Sequence, residues 1–233
     1  MTELKLNHLM RVMLAGPSGI GKTTLARWLS EVSGVKFISG SMSNLLPETK
    51  DITHHELLSE NNKKLILQDY QLISVRHRVF GTSGSYITDR SYLDSAAYFI
   101  YKQSKFESNC TLSDFIYTCK QLICSDCDVI ILLSLDNPLD FMIEDNHKRI
   151  TNSYFQVQIS KLCEIALKVM GYRETLEKAY IDCKWWNPIR KPLSKPYRVG
   201  YINHPVSDKP IKVVIIPNLV QNEREEILKE VLY

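Results

Sequence analysis

Long apolar runs are missing from this chain of 233 residues. None approaches the roughly 18 residues of a membrane-spanning helix, and the first positions, with Glu3, Lys5 and Asn7, lack the apolar core of a secretory signal. The expectation is a soluble, cytoplasmic protein with no membrane partner. Cysteine is sparse as well: six residues, at 110, 119, 124, 127, 163 and 183, with one C-x-x-C spacing at Cys124 and Cys127. A zinc site needs a second pair that the sequence does not supply, so reduced, mostly buried thiols are expected. Internal repeats and low-complexity tracts are also absent. Net charge is only +3. It is unevenly placed, because Lys184 to Arg198 carries Lys184, Arg190, Lys191, Lys195 and Arg198 with no acid. With 44% hydrophobic residues, the chain can bury a full core as one α/β domain and needs no second one.

What the sequence does have is the stretch Gly16 to Thr24, G-P-S-G-I-G-K-T-T, which fits G-x-x-x-x-G-K-[ST] at every required position. The apolar run Val12, Met13, Leu14, Ala15 before it reads as a buried strand, and Leu25, Ala26, Trp28, Leu29 after it have helical spacing. Strand, glycine loop and helix make a phosphate-binding P-loop. Gly16, Gly19 and Gly21 let the backbone of Gly16, Pro17, Ser18, Gly19, Ile20 and Gly21 curl until successive N–H groups converge on phosphate oxygens. Lys22 is expected to reach the β- and γ-phosphates, Thr23 to ligate Mg²⁺, and Thr24 to complete the cradle, with the positive end of the following helix aimed at the nucleotide. The chain is therefore expected to bind ATP with Mg²⁺.

Along the rest of the chain, Val35 to Ile38 reads as a second strand entering Ser39, Gly40 and Ser41, and Asn44 to His55 as a loop. A helix is expected from about Ser59 to Phe80, ended by Gly81 and Gly84. Ser85 to Thr88 forms a third strand that leads to Asp89, Arg90 and Ser91. Helices follow at Asp94 to Lys105 and at Thr111 to Cys124, the second with Thr111 as N-cap. Val129 to Leu135 is the clearest buried parallel strand, and Asp136, Asn137, Pro138 turn it into a further helix. Tyr154 to Met170 is helical, while Pro188, Pro192 and Pro196 keep the basic stretch from being so. Tyr197 to Ile216 makes a hairpin or a pair of strands, and Glu223 to Leu232 closes the chain as a charged helix. One domain spans 1–233, with a core at about 8–182 and 211–233 and a proline-rich basic insertion and hairpin at about 183–210. Alternating strands and helices imply a mainly parallel sheet, whose ligand crevice lies at the carboxyl ends of the strands. Gly16 to Thr23, Ser39 to Ser43, Asp89 to Ser91 and Asp136 should converge there.

Two kinds of P-loop protein are disfavoured by missing motifs. A switch GTPase needs N-K-x-D, and Asn62, Lys63, Lys64 is followed by Leu65; an AAA+ motor needs Asp-Glu after an apolar strand, and Asp89 is followed by Arg90, Asp136 by Asn137. What stands instead is Ile87, Thr88, Asp89, Arg90, Ser91, Tyr92, with Ser95, Ala97 and Tyr98 shortly after. This resembles the D-R-Y-x-x-S-x-x-A-Y segment of thymidylate kinases and the E-R-S or D-R-H segment of deoxyribonucleoside kinases. Cys127 to Leu133 followed by Asp136, Asn137, Pro138 is similar to the P-D-L strand and P-E turn of the same group. The resemblance covers about residues 9 to 170 and implies a P-loop kinase fold: a three-layer α/β sandwich with a helical lid. It implies that Asp89 stands beside Mg²⁺ and the acceptor, as base or as holder of a metal water. Arg90 would bind a substrate phosphate or the transferring oxygens, with Tyr92 and Tyr98 on the same side. It places a lid near Glu144 to Arg149, with Arg149 as γ-phosphate clamp and Lys148 second, and gives Arg76 or Arg78 the acceptor's phosphate. Ser39 and Ser41 lie where an acceptor docks; the group frequently has an acid there, and this chain has hydroxyls until Glu48.

Lys184, Trp185, Trp186, Arg190 and Lys191 mix cations with rings. That mixture suits single-stranded nucleic acid, phosphates on cations and bases stacked on rings, or else two tryptophans packed under a proline-rich loop. The first expected function is transfer of the ATP γ-phosphate to a (deoxy)nucleoside monophosphate. The alternative is a hydroxyl acceptor, on a deoxynucleoside or on a hydroxymethylated pyrimidine of DNA, as in the phage kinases that the chain also resembles. A nucleotide-dependent binding ATPase is third, and a homodimer is left open.

Overall fold

Each strand of the central sheet alternates its side chains between two apolar layers, and that period of two decides where every helix packs. The computed structural model describes residues 10–45, 62–103, 109–135, 152–175, 197–204 and 209–232. Its strands are β1 (Arg11–Ala15), β2 (Phe37–Ile38), β3 (Tyr86–Thr88), β4 (Val129–Leu133), β5 (Tyr172–Glu174), β6 (Arg198–Ile202) and β7 (Ile211–Ile216). Its helices are α1 (Lys22–Ser33), α2 (Met42–Leu45), α3 (Asn62–Gly81), α4 (Tyr92–Gln103), α5 (Asn109–Asp126), α6 (Ser153–Val169) and α7 (Gln221–Leu232). The sheet runs β2-β3-β1-β4-β7-β6-β5. From β2 to β7 every pairing is parallel, with Val12 against Ile87 and Val129, and Ile131 against Val214. β6 and β5 continue the sheet antiparallel.

Met13, Ile130, Leu132, Val213 and Ile215 face one layer, with Phe80 of α3, Tyr92 and Phe99 of α4, Phe115 of α5 and Phe155 of α6. Val12, Leu14, Ile131, Val214 and Ile216 face the other, with Leu25 and Leu29 of α1 and Ile227 and Leu228 of α7. The result is the expected three-layer α/β sandwich with a mainly parallel sheet. In the thicker layer Phe99 stacks on Phe115 with ring centroids 4.0 Å apart and planes 10° from parallel, and Tyr70 meets Phe115 edge-on at 4.9 Å. Asp69 and Lys102 pair at 2.6 Å between α3 and α4, both largely out of water. Cys119, Cys124, Cys127 and Cys163 are buried free thiols, as expected of the described cysteines. Among the described residues no helix is long and apolar enough to cross a membrane.

The sequence boundaries mostly stand to within a few residues, with differences at α2, α5 and β5. α5 begins at Asn109, so Thr111 lies inside its first turn and does not cap it. α6 is capped by Asn152, whose side chain accepts from the N–H groups of Tyr154 and Phe155. β5 was not foreseen: Gly171, at φ 88°, turns the end of α6 back onto β6, and three residues with one side exposed are too few for a period to show. Asn44 and Leu45, expected to open a loop, lie in α2, where their N–H groups bond the Ser41 carbonyl. The rest of that loop at 46–55, Asp136 with its following turn and helix, the lid with Lys148 and Arg149, and Lys184, Trp185, Trp186, Arg190 and Lys191 lie outside the described residues.

Because Phe99 is fully buried between two helices, Phe99→Ala is expected to lower the unfolding free energy by about 3–5 kcal/mol. The shift in denaturant midpoint at unchanged m-value measures it, and a loss below about 1 kcal/mol would contradict the packing described.

Candidate phosphate-binding and transfer site

Parallel strands point their carboxyl ends the same way, so the segments after β1, β2 and β3 meet at one edge of the sheet. After β1 the chain turns through Gly16, Gly19 and Gly21, at φ 132°, 86° and 92°. Only glycine holds such angles without strain, and at Gly16 a methyl group would also run into the backbone carbonyl of Leu133. α1 starts at Lys22 with Gly21 as its N-cap, without a capping side chain and without an acid in its first turn. Its leading N–H groups and positive end are thus left for an anion.

Lys22 is 5% exposed and its Nζ donates to the carbonyls of Gly16 at 2.5 Å and Pro17 at 2.7 Å. Burial, then the positive field of Arg90, lowers its pKa to about 7, against the pull of Asp94 and Asp89. Thr23 and Thr24 sit exposed at the start of α1. The Thr23 hydroxyl donates to Asp89 Oδ2 at 2.7 Å, and the other carboxylate oxygen accepts the Gly40 N–H at 3.0 Å. A hydroxyl and a carboxylate side by side are hard oxygen donors, and they fit Mg²⁺, which takes few protein ligands and fills its octahedron with phosphate and water oxygens. Ser18 is buried beside the phenol of Tyr98, which its backbone N–H faces. Burial raises the Tyr98 pKa to about 12.

Arg90 follows Asp89 and is half-buried. Its charge bears on Lys22, Arg76 and Tyr98, and its guanidinium makes no hydrogen bond to another described residue. Ser39 and Ser41 stand after β2 with their hydroxyls 3.5 Å apart, and Asn44 of α2 donates to Ser39 at 2.9 Å. Gly40 between them packs so closely that a Cβ would stand 2.8 Å from Arg90 Cβ and 2.9 Å from Thr88 Oγ1.

The two arginines of α3 separate. Arg76 is 3% exposed and turned inward, donating to the Gly40 carbonyl at 2.9 Å, the Ser91 carbonyl at 3.0 Å and Ser95 Oγ at 2.6 Å. It braces the backbone of the site, which corrects the expectation that it grips a substrate phosphate. Arg78 is exposed and lines an open groove of about 790 Å³ with Lys36, Phe37, Ser39 and Thr82. Tyr92 is a second correction: it is fully buried, with its hydroxyl on the Asp126 carboxylate at 2.5 Å, next to the amino end of β4 and away from the Asp89 edge.

Two residues of this centre went unmarked in the sequence. Asp94 is 2% exposed; Oδ1 accepts the Gly16 N–H at 2.9 Å and Oδ2 the Ser91 N–H at 2.8 Å, so it ties the start of the glycine loop to the Asp-Arg-Ser turn. Its place three residues after Ser91, at the head of a helix, was the available signal. Arg224 of α7 donates to the Ile20 carbonyl, and it lies three and four residues before the buried Ile227 and Leu228, on the apolar stripe of that helix.

A protein-family model described as an AAA domain matches residues 11–175. No curated protein matches the chain. Among solved structures, the fold is similar to that of deoxyadenosine kinase from M. mycoides with bound dCTP, at TM-score 0.58 and 12% identity, over 96% of this chain and 98% of that one. The same kinase with bound dATP gives TM-score 0.49 at 14% identity, over 68% and 84%. YorR protein from Bacillus subtilis, in complex with phosphorylated GDP, gives 0.38 at 17% identity, over 68% and 80%. The first of these likenesses establishes a P-loop kinase-like fold.

The protein's own groups hold Lys22 near pH 7, whereas polyphosphate beside it would add counter-charge and raise it. Binding of ATP above about pH 7 should then take up a proton, and affinity should fall by up to about tenfold per pH unit as the pH rises from about 7 to about 9. Calorimetry in buffers of different ionisation enthalpy measures the uptake; a buffer-independent heat would show that Lys22 is charged throughout.

Proposed function

The chain belongs to the AAA-domain family of P-loop proteins, and from that premise we propose that it is an ATP-dependent kinase moving the γ-phosphate to the phosphate of a (deoxy)nucleoside monophosphate. Family membership leaves the motor activity of AAA+ proteins apart, since the Asp-Glu pair such motors use is missing after β3 and after β4. The observation that carries the reading is the Asp89 carboxylate, with one oxygen on the Thr23 hydroxyl and the other on the Gly40 N–H.

That arrangement favours Asp89 as the residue that, with Thr23, holds Mg²⁺. Mg²⁺ when bound neutralises charge on the β- and γ-phosphate oxygens. The remaining work falls to the chain. The loop amides and the Lys22 ammonium hold the β- and γ-phosphates, and Arg90 faces the oxygens of the group in flight. An acceptor phosphate oxygen forms the new bond to the γ-phosphorus, the bond to the β–γ bridging oxygen breaks, and ADP leaves. No proton has to be removed from such an acceptor. A hydroxyl acceptor would need a base, and the two carboxylates at this centre among the described residues, Asp89 and Asp94, both have each oxygen hydrogen-bonded. Ser39, Ser41, Tyr98 and Arg78 are the proposed acceptor side, and Lys148 and Arg149 the proposed lid.

A hydroxyl acceptor is the second reading. It is favoured by the full-length fold likeness to a kinase whose name gives deoxyadenosine as its substrate. The DNA variant of that reading adds Lys184, Trp185, Trp186, Arg190 and Lys191 as its contact.

The deciding measurement offers γ-labelled ATP with a panel of monophosphates, nucleosides, and DNA with and without hydroxymethylated pyrimidines. Label in a diphosphate is expected. Label in a monophosphate or in polymer would replace this reading with the hydroxyl one, and acceptor-independent release of phosphate would replace it with a binding ATPase. Asp89→Asn should lower the transfer rate by at least about 100-fold with a smaller change in ATP affinity. Lys22→Ala should abolish transfer in a folded protein, and unchanged turnover there would overturn the assignment of the loop.

A further inference from the structure

Arg224 belongs to the last helix, 204 residues along the chain from the loop carbonyl it touches. It is 6% exposed. Nη1 donates to the Ile20 carbonyl at 2.6 Å and Nη2 to Asn218 Oδ1 at 2.9 Å, while Nε is buried without a partner among the described residues. Gly21 is pressed against it, since a Cβ there would stand 3.1 Å from Nη1. Burial pushes the guanidinium below its ordinary value, and no acid among the described residues offsets the push.

A mere bracket between α7 and the loop does not call for this residue. α7 already packs on α1 through Ile227 and Leu228, and Lys229 lies over the Trp28 ring at 5.7 Å. A neutral side chain would join the two elements without the cost of burying a charge that no carboxylate among the described residues balances. Peptide geometry supplies the reason for a strong donor here. In a trans peptide the carbonyl and the following N–H point in opposite directions, and there is no cis bond among the described residues. Pinning the Ile20 carbonyl toward α7 therefore aims the Gly21 N–H away from α7, which is the direction in which a phosphate-cradling loop must present it.

We propose that Arg224 is a positioning residue for the polyphosphate: it fixes the Ile20–Gly21 peptide so that the Gly21 N–H faces the phosphates, and it sets behind the loop a positive charge that the phosphates compensate. This rests on the reading that the loop binds polyphosphate and is independent of which acceptor follows. The residue acts through the loop, so the matching effect is on phosphate affinity rather than on the acceptor's KM.

The test titrates the full chain with inorganic tripolyphosphate, and separately with MgATP, by calorimetry at two salt concentrations. Arg224→Met, verified as folded by its thermal transition, should bind tripolyphosphate about 10- to 100-fold more weakly, with the acceptor's KM unchanged. Arg224→Gln keeps an N–H for the Ile20 carbonyl and loses the charge; it should recover part of the affinity and show a flatter salt dependence. A folded Arg224→Met protein that binds tripolyphosphate like the parent overturns the proposal. If Arg224→Met does not fold, Arg224→Gln decides: parental affinity and salt dependence overturn it, a weaker and flatter response supports it. Lys22→Ala separates the two readings. If the parent binds neither probe, or Lys22→Ala binds tripolyphosphate as well as the parent, the phosphate reading falls and this one with it; if Lys22→Ala fails while Arg224→Met binds normally, this one falls alone.

Discussion

Asp89 joins three strand ends through two oxygen atoms. One oxygen holds the Thr23 hydroxyl at the start of α1 and the other holds the Gly40 N–H beyond β2, while the residue itself directly follows β3. A carboxylate at 4% exposure would be costly without such donors, and with them it fixes the distance between the head of α1 and the segment after β2. The close approach of Gly40 to Arg90 and Thr88 follows from the same contact, because any larger residue would force the β2 loop off the Asp-Arg-Ser turn. Asp94 repeats the device one turn further on, holding Gly16 N–H with one oxygen and Ser91 N–H with the other.

Among the described residues the charges at this centre do not balance. Lys22, Arg76, Arg90 and Arg224 stand against Asp89 and Asp94, and all but Arg90 among these six are more than nine-tenths buried. Lys22 loses much of its basicity first through burial and then through the positive field of Arg90, and an anion beside it would offset both. The unbalanced charge and the uncapped head of α1 select for the same class of ligand by two separate physical routes, Coulomb attraction and free N–H donors.

Much of this was legible in the sequence because it depends on local pattern. The glycine loop is contiguous, and its conformation is written in the glycines themselves. β4 is apolar throughout because both its faces are covered, and the period-two split of Met13 from Leu14 follows from strand geometry alone. Asp89 and Thr23 were readable as partners since both follow strands of a parallel sheet. What was not legible depends on which way a long side chain turns. Arg76 and Arg78 differ by two positions on one helix, and so point to different sides; spacing alone does not say which side faces the site. Arg76 turned inward because Gly40, Ser91 and Ser95 offer oxygens there that would otherwise be buried without donors. Tyr92 reads as a substrate residue by its neighbours in the chain, yet its hydroxyl finds Asp126, a partner contributed by another helix. Arg224 carries no local mark beyond its place on the buried stripe of α7, and its contact spans nearly the whole chain.

Rigidity at this centre has a consequence for selectivity. Asp89, Asp94 and Arg76 all hold backbone atoms, so the loop after β2, the turn after β3 and the glycine loop move as one body. Fixed dipoles of this kind stabilise transferring charge without reorganising, but they recognise phosphate and little else. In the proposed reading, discrimination among acceptors comes from side chains that are not consumed in holding the backbone. On the described edge those include Ser39, Ser41 and Asn44, linked to one another, and Arg78 on the exposed face of α3 beside Ser39. In the proposed reading the invariant chemistry sits in the braced interior and the choice of acceptor in this polar margin, where a substitution changes what is bound without disturbing how the phosphate is held.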